Sequence, residues 1–112
     1  MNIFSRDYIV RKGSTFSEVI LLSDIYITLD SSTLYTVEGG MVLVADSATK
    51  FAITGALSES NTKLTISMTP TETTAVNVLG NYNYAIDIAS AGVVQTILEG
   101  SILLKDDISK TT

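Results

Sequence analysis

Residues 64–108 decide the fold of this 112-residue chain: LTISM (64–68), TPTETTAVNVLG (69–80) and NYNYAIDIASAGVVQTILEGSILLKDDI (81–108). The first segment alternates apolar and polar side chains, as a strand with one buried side does. The second carries the start and stop signals of a short helix. The third alternates again, passes through a short turn and returns as a long apolar stretch. The segment order therefore predicts strand, helix, strand, turn and strand.

The helix is predicted over residues 70–79. Thr69 can cap its N-terminus, and Glu72, three residues later, completes a capping box. Pro70 takes the first helical position, where its missing N–H costs nothing, and Gly80 is a natural stop. We interpret Glu72 as part of this cap rather than as a catalytic carboxylate. A helix of about two to three turns is unstable alone in water, so it must dock on the sheet.

The hairpin that follows contains two tyrosines on one face. A strand with one buried side is predicted by the alternation of Tyr82, Tyr84, Ile86 and Ile88 with mostly polar neighbours. Residues 90–92 form the turn, and Gly100 predicts a bulge or a close backbone approach in the returning strand. Core packing is the main interpretation of Tyr82 and Tyr84. Contact with a partner protein, where Tyr is enriched, and sugar stacking are the alternatives.

The rest of the chain also favours β-structure, because Val, Ile and Thr make up 36 of its residues. Further strands or extended segments are predicted at residues 7–11, 15–22, 25–29, 34–37, 41–45 and 50–53, with a polar turn at 30–33 and a loop at 55–63. The run at 41–45 is nearly all apolar and is therefore expected to be central. We predict one all-β domain over residues 1–112, an Ig-like β-sandwich or flattened barrel of about seven to eight strands with one short α-helix. Residues 1–7 are predicted to be a flexible or docking arm.

Composition excludes several classes of function. The formal net charge is −5, and the few Lys and Arg residues are scattered apart from Arg11 and Lys12, which argues against nucleic-acid binding. No apolar run approaches the roughly 18 residues of a membrane span. The first 13 residues lack the apolar core of a secretory signal, so we expect the chain to be made and used without export by that route.

The residues needed for catalysis or metal binding are also scarce. The chain has no His and no Cys, and it contains no GxSxG nucleophile elbow. Asp24, Asp30 and Asp46 are too far apart in sequence to form a calcium loop. We therefore expect no enzymatic activity, no cofactor, no metal and no catalytic residue.

Four segments resemble a family of small phage-encoded domains, found at the N-termini of tail-fibre and baseplate proteins or as short virion proteins. The family pattern xxKGxTF is similar to residues 11–16, and LTISLTPxETxxL is similar to the helix entry at 64–73. The ending GxYxYDIxIxxxxGxVxTLLxGxxxVxxDIT is similar to residues 80–109. The middle pattern xLTGYxxxxxIR is matched loosely at 37–46, where the Leu-Thr-Gly is absent and Asp46 or Ser47 replaces the Arg.

The resemblance implies a structural role in a virion, where such domains attach fibres or receptor-binding parts and carry no catalytic residues. We expect a non-enzymatic adaptor of the tail, baseplate or fibre apparatus, present in several identical copies and bound to other phage structural proteins. The chain ends at Thr112 without a fibre, so a capsid decoration protein is an alternative, and a receptor- or carbohydrate-binding module is another. The candidate partner contacts are Ile3, Phe4, Tyr82 and Tyr84.

Overall fold

The computed structural model describes residues 4–76 and 78–106. This part of the chain contains eight strands, one α-helix and a 3-10 helix at Leu22–Ile25. The elements in chain order are β1 (Phe4–Ser5), β2 (Tyr8–Arg11), β3 (Phe16–Leu21), β4 (Thr36–Leu43), β5 (Asp46–Ser58), β6 (Lys63–Met68), α1 (Pro70–Ala75), β7 (Gly80–Ser90) and β8 (Val93–Lys105).

The strands form one curled sheet in the order β1-β8-β7-β4-β5-β6-β3, with β2 also paired to β8. The sheet curls along β5, whose first part pairs with β4 as far as Ile53 and whose second part pairs with β6 from Thr54 onward. Immunoglobulin-type sandwiches have sheets ABED and CFG. Here β3, β6 and β5 take the places of B, E and D, while β4, β7 and β8 take those of C, F and G. The predicted all-β class is confirmed, and β4 is central as expected.

One apolar core lies between the two halves of the curled sheet. Ile20, Leu64 and Ile66 come from one half, and Tyr82, Ile86 and Ile102 come from the other. Each of these residues alternates with more exposed neighbours on its strand, so the period-two pattern correctly identified the buried face.

The N-terminal segment is part of the sheet from Phe4 onward, which corrects the predicted arm for residues 4–7; residues 1–3 of that prediction lie outside the described residues. β1 and β2 both pair with β8 in parallel. The Arg6 N–H donates to the Glu99 carbonyl at 2.9 Å, and the Tyr84 hydroxyl donates to the Arg6 carbonyl at 2.5 Å. Gly100 permits this approach, because a Cβ there would collide with the Arg6 carbonyl oxygen. Residues 4–7 are therefore held by long-range contacts that local sequence patterns do not encode.

The helix entry is confirmed in atomic detail, but the helix is shorter than predicted. Thr69 Oγ1 accepts from the Glu72 N–H at 3.1 Å, and a Glu72 carboxylate oxygen accepts from the Thr69 N–H at 2.8 Å. The helix ends at Ala75 because Val76 is extended and fully buried.

Two further local predictions are wrong. Residues 25–29 do not form a strand, because Leu22–Ile25 is a 3-10 helix closed by Tyr26 in a left-handed conformation. The loop predicted at 55–63 begins too early, because β5 extends through Ser58. Its Ser, Asn and Thr content indicated a loop, but pairing with β6 keeps residues 55–58 in the sheet.

The β7–β8 hairpin has the predicted turn, with Ala91 and Gly92 at φ 52° and 81°. Positive φ at both central residues is typical of the type I′ turn, which matches the twist of a hairpin. The irregularity predicted near Gly100 divides between two sites. The first is a register shift between β7 and β8: Ile86 pairs with Leu98 but Asp87 pairs with Thr96, which leaves Ile97 unpaired. The second is Gly100, where the backbone of Arg6 comes close to β8.

Candidate interaction surface

Tyr82 and Tyr84 lie in the core, with only 0% and 3% of their surfaces exposed. The core-packing interpretation of these residues is therefore confirmed, and neither ring offers a surface to a partner or a sugar. Phe4 is half-buried and packs against the core, with the Arg6 guanidinium carbon 5.3 Å from its ring centre. Ile3 lies outside the described residues. The three described candidate contacts, Phe4, Tyr82 and Tyr84, therefore lie in the core or pack against it.

Tyr82 instead forms a tyrosine corner, a feature of immunoglobulin-type sandwiches near the start of strand F. Its hydroxyl donates to the Val78 carbonyl at 2.6 Å, four residues upstream. Burial raises the pKa of the Tyr82 phenol. Burial also raises the pKa of the Tyr84 phenol, with smaller contributions from Tyr8 and Asp7. Both phenols act as neutral structural donors rather than as acid–base groups.

A polar cleft of about 460 Å³ lies between the N-terminal segment and β8, lined by Ser5, Asp7, Asn83, Tyr84, Glu99, Gly100 and Ser101. Its main polar groups are already engaged. Asp7 Oδ1 accepts from the Ser101 N–H at 2.9 Å, and the Tyr84 hydroxyl is bonded to the Arg6 carbonyl. Within residues 4–76 and 78–106, no three carboxylates come together to hold a metal ion. The hydrogen bonds of this cleft therefore hold the N-terminal segment against β8.

The strained backbone is concentrated at one end of the sandwich. We define the loop end as residues 22–35, which join β3 to β4, together with the β5–β6 turn at 59–62 and the β7–β8 turn at 91–92. Among the described residues, all five non-glycine positions with positive φ lie here: Tyr26, Glu59, Ser60, Asn61 and Ala91. Such conformations cost on the order of 1 kcal/mol or more each, and they cluster at functional sites.

The long loop is braced by hydrogen bonds from the β5–β6 turn. Asn61 Nδ2 donates to the carbonyls of Asp30 and Thr33, at 2.9 and 2.8 Å. An Asx turn closes the loop tip, because Asp30 Oδ1 accepts from both the N–H and the hydroxyl of Ser32. These bonds lower the pKa of the Asp30 carboxyl, which stays ionised. The left-handed conformation of Asn61 therefore positions a side chain that fixes the loop.

This braced loop carries the most exposed large apolar side chains of the described chain. Tyr26 is 85% exposed and Leu34 is 89% exposed. The loop end also holds an apolar cleft of about 210 Å³, lined by Leu21, Leu22, Ser23, Ile27, Thr28, Leu29, Asn61 and Thr62. Loops held by a rigid scaffold are common binding sites. The loop end is therefore the candidate interaction surface.

Sequence reasoning missed every residue of this surface. Residues 30–33 were predicted to be a turn, and the Asp30–Ser32 spacing that forms the Asx turn was the one local signal available. Tyr26 lies in the stretch 25–29 and Leu34 in the stretch 34–37, and both stretches were predicted only to be strands or extended segments. The bonds from Asn61 span about thirty residues, so no short motif predicts them.

Comparison with known proteins gives no assignment. No protein-family model matches the chain, and no curated protein matches it. Across the described residues, none of the helices has the length and apolar character needed to cross a membrane.

Proposed function

We propose that this chain is a bacteriophage structural protein, a non-enzymatic adaptor or attachment subunit of the tail, baseplate or fibre apparatus. One observation carries the proposal: the loop end holds Tyr26 and Leu34 in solvent on a braced backbone. The resemblance of residues 11–16, 64–73 and 80–109 to phage attachment domains supports the virion context. The chain would reside in the virion in several copies, bound to other phage structural proteins.

The energetics of the loop end favour protein contact over a purely structural role. Burying a large apolar side chain contributes about 1.5–3 kcal/mol, and both Tyr26 and Leu34 remain almost fully exposed in the isolated chain. Because Asn61 and Asp30 already fix the loop, a partner would not have to order it. Tyr26 and Leu34 can therefore be buried against another protein without a large loss of conformational entropy in the loop.

A capsid decoration protein would use the same surface, and the position of the chain in the particle distinguishes the two alternatives. A carbohydrate-binding module is favoured only by the exposed ring of Tyr26. Glycan binding that is lost in Tyr26→Asn would support that second candidate.

The test is incorporation into particles by complementation of a genome that lacks this chain. The variant combines Tyr26→Asn with Leu34→Ser. Asn tolerates the left-handed conformation at position 26, so the loop should keep its shape. The matched control is Val19→Thr, which replaces a methyl group with a hydroxyl at a 57% exposed position on β3, outside the loop end.

We expect the double variant to fold normally and to be depleted at least tenfold from particles, while the control incorporates fully. Normal incorporation of a correctly folded double variant would contradict the role of the loop end.

A further inference from the structure

A second apolar concavity lies at the opposite end of the sandwich. We define the base cleft as the cavity of about 300 Å³ lined by Leu43, Val44, Ala45, Val78, Leu79, Gly80 and Asn81. β4 runs from the loop end at Thr36 to the base cleft at Leu43, and β7 starts there at Gly80. With about 3.4 Å per residue, the two surfaces are separated by roughly 25 Å.

The base cleft is preformed and its rim is apolar. Val44, Val78 and Leu79 are 61%, 38% and 46% exposed around it. The Val44 N–H donates to the Asn81 carbonyl at 3.0 Å, which fixes the β4–β5 turn against the start of β7. The tyrosine corner holds the other wall through the Val78 carbonyl. A cavity of this size is at the small end of ligand pockets and suits one inserted side chain.

The two ends also differ in charge. Among the described residues at the loop end, Asp24, Asp30 and Glu59 are acidic, and the nearby cation Lys63 is ion-paired with Glu59 at 3.4 Å. We define the base end as the base cleft together with α1, the first residues of β5 and the residues at and just after the ends of β2 and β8. Its described residues include four cations and three carboxylates, namely Arg11, Lys12, Lys50 and Lys105 with Asp46, Glu72 and Asp106. Among the described residues, the loop end therefore has an excess of negative charge, and the base end has an excess of one positive charge.

We propose that the loop end of one copy docks into the base cleft of a second copy, so that the chain assembles head to tail. The inference rests on the proposed function in one respect, that the loop end is a protein-contact surface. The protruding Leu34 and Tyr26 meet a concave apolar site, and the acidic end meets the basic end. Pairing two loop ends would instead bring two acidic, protruding surfaces together, and pairing two base clefts would bring two concave ones together.

A head-to-tail contact uses two different patches on each copy, so every copy can bind two neighbours. Such contacts produce a ring when the rotation closes and a filament when it does not. Both forms are compatible with a subunit present in several copies per particle.

The decisive experiment uses two variants, each of which blocks one end. Leu34→Asp places a charge on the loop end, and Val44→Asp places one on the rim of the base cleft. Both positions are more than half exposed, so folding should be retained, and circular dichroism checks this. Native mass spectrometry and light scattering then give the masses of the wild type, of each variant and of their equimolar mixture at low and high salt.

We expect a wild-type mass that rises above the monomer with concentration, and at least tenfold weaker association in high salt. Each variant alone should be monomeric, whereas the mixture should form a 1:1 dimer through its one remaining intact pair of surfaces. Val19→Thr should assemble as the wild type does. A mixture that stays monomeric while the wild type assembles would overturn the proposal, and so would a wild type that stays monomeric or forms a closed symmetric dimer. If a monomeric wild type is nevertheless incorporated into particles through its loop end, the proposed function stands and only self-assembly fails.

Discussion

Thr73 offers the sharpest test of how the helix docks on the sheet, because it is the one fully buried polar residue of the described chain. Its hydroxyl donates to the Ser14 carbonyl at 2.8 Å and accepts from the Gly13 N–H at 3.1 Å. Thr73→Val keeps the shape of the side chain but removes both bonds. Thr73→Ser keeps the hydroxyl and removes one methyl group.

The two variants differ in expected magnitude because they remove different interactions. A buried polar group left without its partner costs about 1–3 kcal/mol, and Thr73→Val leaves two such groups in a partly buried turn. We expect a loss of about 2–3 kcal/mol in the free energy of unfolding. Thr73→Ser should lose about 1 kcal/mol for the methyl group.

Urea unfolding followed by far-UV circular dichroism measures both losses, because the chain has no Trp. With a slope of about 2 kcal/mol per molar urea, the midpoint should fall by about 1–1.5 M for Thr73→Val and by about 0.5 M for Thr73→Ser. Thr71→Val, at an exposed position of the same helix, serves as the control and should change little. If Thr73→Val were as stable as Thr73→Ser, the two bonds would not anchor the helix.

Three further perturbations have defined outcomes. Thr69→Ala removes the capping bond to the Glu72 N–H and should lower the free energy of unfolding by about 1 kcal/mol, so an unchanged denaturation midpoint would contradict the cap. Gly100→Ala should displace the N-terminal strand because of the collision with the Arg6 carbonyl, and faster amide exchange confined to residues 4–7 and β8 would be its sign. Burial raises the pKa of the Tyr82 and Tyr84 phenols above 10.0, so their contribution to stability is complete below pH 10 and is lost as pH rises toward their folded-state pKa values. A free energy of unfolding that stays flat from pH 8 to 12 would contradict this.

The sequence predicted well those features that depend on short spacings. The capping box joins residues three apart, and the hairpin turn joins adjacent strands, so both are visible in a short window. The alternation around Tyr82 and Tyr84 likewise places every second side chain in the core. The register shift at Ile97 is the exception within this region, because it depends on how two long strands twist against each other.

Features that depend on distant contacts were not predictable in this way. The pairing of Phe4 with Leu98 joins residues at opposite ends of the chain. The division of β5 between two neighbours depends on the curl of the whole sheet. The loop end depends on local and on distant contacts. Its local polar residues indicated a turn, but the hydrogen bonds from Asn61 to Asp30 and Thr33 form only in the folded chain.

We propose that the chain is a structural component of a virion. The most direct test of this proposal is quantitative mass spectrometry of gradient-purified particles produced from the genome that encodes it. We expect the chain in every preparation, at a constant number of several copies per particle that matches the symmetry of one virion part. A chain found in infected cells but absent from purified particles would contradict the account.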